Sequence, residues 1–65
     1  MIKVFYSVDY KIQGSAKMHR MWFDNLKEAN IFAKADYRRS NPVKHVYNTE
    51  ELIKMVEQLI DLQKN

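Results

Sequence analysis

The chain has no cysteine, one glycine and one proline. Without cysteine, disulfide staples and thiolate zinc sites are both excluded. Gly14 as the lone glycine leaves no glycine-rich phosphate loop. No apolar run approaches the ~20 residues that a membrane span needs. The first segment, MIKVFYSVDYKIQ, alternates polar and apolar residues and lacks the continuous apolar stretch of a signal peptide. These features point to a cytoplasmic protein that does not enter a membrane.

Catalytic groups are also scarce. Asp9, Asp24, Glu28 and Asp36 are scattered over predicted strand, cap and helix positions, and Ser7, Ser15 and Ser40 sit in no nucleophile motif. His19 and His45 would offer a metal only two imidazoles, too few for a zinc site. Active sites need several converging groups, so the expectation is a non-enzymatic protein without a cofactor.

What remains is a single small α+β domain over residues 1–65. A chain of this length buries only ~60% of the surface its unfolded form exposes, so close packing or self-association must supply its stability. Ile2, Val4, Tyr6, Val8, Tyr10 and Ile12 alternate with Lys3, Phe5, Ser7, Asp9 and Lys11, the period of a strand. Gln13-Gly14-Ser15-Ala16 supplies a turn, read as type II′ with Gly14 at its first central position. The resulting hairpin register sets Tyr6 opposite Phe23, Val8 opposite Met21, Asp9 opposite Arg20 and Ser7 opposite Trp22. One face is then largely apolar, while the other carries an opposite-charge pair.

A helix follows. Asn25 and Glu28 form a capping box, and the segment is expected to run to about Arg39, because the residue before Pro42 avoids helical geometry. Leu26, Ala29, Phe32, Ala33 and Tyr37 fall on its sheet-facing stripe. Asp36 lies on that side too and is expected to pair with Arg39. Val43 to Tyr47 is a candidate for a short third strand, antiparallel if it lies beside the first and parallel if it pairs with the second. Asn48 or Thr49 caps a last helix whose apolar arc is wider than one core contact requires. The predicted order is ββα(β)α: a small antiparallel sheet packed with two helices on its apolar face.

Three surfaces are candidates for binding. Phe5 and Trp22, with Met18 further along, lie on the more polar face of the hairpin and need a cover, which is either the terminal helix, its wide apolar arc touching two surfaces, or a partner; Asp9 and Arg20 form the rim. Trp is enriched at interaction hot spots, so a protein partner is the leading expectation. Lys27, Lys34, Arg38, Arg39 and Lys44 could instead follow a phosphate backbone. Residues 1–48 hold nine Lys/Arg against four Asp/Glu, whereas residues 49–65 hold two against four, which suits an anionic partner for the front of the chain. Finally, Leu52, Met55, Val56, Leu59 and Leu62 run at the a/d-like spacing of a homodimer seam, with Ile53 and Ile60 left on its flank.

The run Trp22-Phe23-Asp24-Asn25-Leu26-Lys27-Glu28-Ala29 ends a hairpin on an aromatic and opens a capped helix with Glu-Ala. With the Lys/Asn/Ile-rich composition, it resembles short phage and mobile-element proteins over residues 1–39. The resemblance is generic and carries no functional residues across. It implies a phage-type modulator or inhibitor that binds a host protein.

Overall fold

The computed structural model describes residues 1–64. Strand β1 spans Lys3–Lys11 and β2 Met18–Phe23; helix α1 is Leu26–Lys34, β3 is Val43–Tyr47 and α2 is Glu50–Gln63. The order β2-β1-β3 makes β1 the central strand, antiparallel to both neighbours. The hairpin register is the one its alternation predicts, with Tyr6 opposite Phe23 and Asp9 opposite Arg20. β3 pairs with β1, setting Phe5 opposite His45 and Ser7 opposite Val43.

Three local expectations change. The hairpin turn sits one residue earlier than a Gly14-Ser15 centre. The Ser15 N–H donates to the Ile12 carbonyl at 3.0 Å, and Gly14 takes φ +85° as the third turn residue, the position where type II demands a positive φ. Helix α1 ends at Lys34, well before Arg39. Asp36 stops it by accepting the Arg38 N–H at 2.9 Å and, through its carbonyl, the Arg39 N–H at 3.0 Å. A short carboxylate competes in this way for backbone that would otherwise continue the helix. Tyr37 consequently leaves the sheet-facing stripe and stands 95% exposed. The start of α1 follows its sequence, since Asn25 Oδ1 accepts the Glu28 N–H at 2.8 Å.

The largest correction concerns layers. Alternation along β1 sends Phe5 and Val8 to opposite faces. Val8 packs with Ala29 and Ala33 of α1, whereas Phe5 packs with Ile53, Val56 and Ile60 of α2. The helices therefore sandwich the sheet instead of sharing its more apolar face. Two small alanines let α1 lie close to the Val8 face, where Tyr6, Phe23 and Phe32 fill the margins. Burial of Phe5, a side chain worth ~1.5–3 kcal/mol when removed from water, anchors α2 on the other face.

Candidate protein-binding groove

Helix α2 begins three residues beyond the end of β3 and crosses the sheet to β2. At its far end the Gln63 amide takes both backbone groups of Trp22. Its Oε1 accepts the Trp22 N–H at 2.7 Å and its Nε2 donates to the Trp22 carbonyl at 2.8 Å. One side chain thus imitates a neighbouring strand and blocks part of the β2 edge, a place where unpaired backbone invites foreign strands. On one flank of the helix Glu57 accepts from Lys3 Nζ at 2.8 Å. That contact fixes α2 over the first half of β1.

The second half of the Phe5 face has no helix over it among the described residues. Along β1 it presents Ser7, Asp9 and Lys11, flanked by Trp22, Arg20 and Met18 on β2 and by His45 and Val43 on β3. At about 100° per residue, Leu52, Met55, Leu59 and Leu62 lie on the flank of α2 opposite Glu57, and so look toward this uncovered floor. They are 43, 59, 42 and 69% exposed. The step from the sheet floor up to this stripe, mostly polar below and apolar on the helix side, is the candidate groove.

The inner end of the floor is well ordered. Ser7, 1% exposed, shares a 2.7 Å hydrogen bond with His45 Nε2. The imidazole lies 4.8 Å from the Trp22 ring and stacks on Tyr47 at an interplanar angle of 8°. Burial, followed by the Arg20 charge, pushes the His45 pKa below its usual 6.5, and Asp9 partly offsets this. A hydroxyl beside an imidazole is also the start of a nucleophile–base pair. Ser7 is too buried to meet a substrate, however, and His45 makes no other side-chain hydrogen bond among the described residues. The pair is a satisfied polar plug between the α2 core and the open floor.

Against this geometry, the sequence-predicted sites divide. Phe5 is 0% exposed beneath α2 and is core, so it cannot serve as a partner contact. Trp22 is half-buried, while Met18 and Arg20 are exposed. The Asp9–Arg20 rim pair forms, Arg20 Nε to Asp9 Oδ1 at 3.1 Å, with the guanidinium carbon 5.7 Å from the Trp22 ring. In the a/d-like set, Val56 belongs to the core beside Ile53 and Ile60, so the buried stripe is the flank first read as left over.

The basic set is broken up. Arg38, not Arg39, is the partner of Asp36. Its guanidinium holds the carboxylate at 2.8 and 3.1 Å, and together with the Arg38 N–H lowers that pKa to about 2. Arg39 donates to the Phe32 carbonyl at 2.8 Å and lies 3.9 Å over its ring. Lys27 and Lys34 remain on α1, and Lys44 stands on β3. His19 stacks on Tyr10, on the face opposite His45.

Sequence reasoning missed three features: the Gln63 clamp, the Ser7–His45 bond and the placement of the floor. No helix is long and apolar enough to cross a membrane among the described residues. Fold and groove together define a three-layer α/β/α domain with half of one sheet face left open. No family model, curated protein or solved structure matches the chain.

Proposed function

We propose that this chain is a non-enzymatic protein-interaction module whose partner docks in the groove beside α2. The observation that carries the reading is the outer stripe Leu52, Met55, Leu59 and Leu62. These are four apolar side chains in line, with no charge among them, on a helix already anchored by a different stripe. Contiguous exposed apolar surface of this kind marks interaction sites, and Leu and Met at helical spacing suit helix-to-helix recognition. Trp22, Met18 and the Asp9–Arg20 pair lie on the same sheet face as the floor, which supports counting them with this surface. In its finer form the reading is of a phage-type modulator or inhibitor of a host protein, for which the support is the generic resemblance over residues 1–39.

The nucleic-acid alternative has less behind it. Two of its five cations are committed internally, Arg38 to Asp36 and Arg39 to Phe32. A cleft of about 170 Å³ between the start of α1 and the end of α2 is smaller than the ~300–1,000 Å³ of small-molecule sites.

The test is affinity capture from bacterial lysates, with and without nuclease, comparing the tagged chain with its Leu59→Asp variant. A nuclease-resistant partner lost from the variant is the expected result. Capture that vanishes with nuclease but ignores Leu59→Asp would shift the site to Lys27, Lys34 and Lys44.

A further inference from the structure

We propose that the free edge of β2 accepts an extended segment of a partner protein as a further, antiparallel strand, and that the Gln63 amide is the placeholder this segment displaces. The site goes beyond the groove, because it rests on the β2 edge and not on the outer stripe of α2. The direction of the β2 backbone is fixed by two observations. Gln63 takes the N–H and the carbonyl of Trp22, so both point away from β1. Across β1, Ser40 takes the N–H and the carbonyl of Asp9, which turns Asp9 away from β2 and the facing Arg20 away from β1. The backbone groups of Met18, Arg20 and Trp22 therefore all point outward. Gln63 holds those of Trp22, and no side chain among the described residues takes the others.

The placeholder shows what the edge accepts. An amide that takes both the N–H and the carbonyl of one residue reproduces the bond exchange of a facing antiparallel residue. Gln63 does this from an exposed side chain and at Trp22 alone, whereas a strand would also satisfy Arg20 and Met18. The opposite edge of the sheet is guarded by its composition. By the same alternation β3 turns the backbone of Lys44 and Val46 outward, with Pro42 just ahead of them. Lysine and proline are residues that discourage strand addition at an edge.

Side chains around the edge set the chemistry of the segment. At Trp22 the edge opens into the cleft of about 170 Å³, floored by Met21, Trp22 and Phe23 and walled by Glu28 of α1 and Ile60 of α2. A cavity of ~150 Å³ holds a benzene ring, so the cleft admits one aromatic or branched aliphatic side chain. Arg20 spends its Nε on Asp9, and its terminal nitrogens donate to no other described residue, leaving a fork for a carboxylate. The segment residue facing Arg20 shares its sheet face and is therefore Asp or Glu. In an antiparallel strand the residue before it faces Met21 and points to the other side, at the cleft. The segment recognised is an extended one with a large apolar residue directly before an acidic one. Backbone bonds supply its affinity, and the cleft and Arg20 supply selectivity.

A library of short random peptides is selected against the tagged chain, and the enriched peptide is resynthesised plain and with N-methyl groups on either set of alternate amides. Calorimetry reads its affinity, and amide NMR spectra of the wild type read its place. The enriched peptide is expected to carry the apolar–acidic pair and to shift the Trp22 backbone amide and the Gln63 side-chain amide. N-methylation of one set of amides should weaken it at least ~10-fold, while Gln63→Ala should tighten it several-fold. The wild-type spectra and the N-methyl series decide the matter even where Gln63→Ala folds poorly. A library that yields no binder overturns the strand site and leaves the groove to its capture assay. A binder that tolerates N-methylation of both sets also overturns it. A binder that shifts Met55 and Leu59 but leaves Trp22 and Gln63 unmoved overturns the edge and places the peptide in the groove.

Discussion

Helix α2 carries two apolar stripes that differ in both chemistry and position. The inner one, Ile53, Val56 and Ile60, is β-branched throughout and buried against Phe5. The outer one, Leu52, Met55, Leu59 and Leu62, contains no β-branched residue and stays open. Stiff side chains hold one rotamer and suit a fixed core. Leucine and methionine adapt more readily, methionine in particular being common on surfaces that accept partners. One helix thus serves its own fold with one flank and offers the other. The arc of a helix alone does not reveal this division, because both stripes read as apolar.

The comparison is broken most forcefully in the core. A domain of this size holds roughly 3–10 kcal/mol of stability at ~0.05–0.15 kcal/mol per residue. Ile53→Ala is expected to remove about 2–5 kcal/mol, a large share of it, whereas Leu59→Ala should change the unfolding free energy read from urea melts of the monomer by less than ~0.5 kcal/mol. Equal losses from both would erase the distinction between the stripes.

Gln63→Ala gives a smaller effect. Two hydrogen bonds to Trp22 are lost, about 1–3 kcal/mol together, and the β2 edge opens. Thermal melts should shift down modestly, and light scattering at high concentration should rise as exposed backbone finds other strands. Unchanged melting would mean that the clamp is ornamental and that the inner stripe alone fixes α2.

The smallest effect is the pH dependence of His45. Its folded pKa lies below the unfolded 6.5, so on acidification the unfolded chain takes up the proton first. Stability from this group is complete above about pH 6.5 and falls as pH drops from there toward the lowered folded value. Urea titrations across that window should show the decline, and His45→Gln should flatten it. Loss of stability with rising pH through the same window would contradict the buried, neutral imidazole.

Much of the fold was legible because local and long-range signals agreed. Alternation and the Gly14 turn define the hairpin register, Asn25 marks where α1 starts, and Val43–Tyr47 reads as a strand. The end of α1 was not legible, since Asp36 stops it through its own hydrogen bonds while Tyr37 still completes an amphipathic pattern. Nor was the sandwich, because Phe5 and Trp22 alone gave too little apolar signal to distinguish a helix-covered face from a partner-covered one. The wide arc of α2 was the clue that two surfaces were involved. The Ser7–His45 bond depends on β3 pairing with β1 in one register, and the Gln63 clamp on where the helix ends. Both are tertiary facts with no local signature.

The most direct test uses Trp22, the only tryptophan in the chain, which borders the groove. Its acrylamide quenching is measured for the wild type and for Leu59→Asp, each alone and with the partner that the wild type captures. The account predicts that wild-type quenching falls when the partner is added, while the variant stays quenchable. Quenching unchanged by the partner in both chains would contradict a docking surface beside α2.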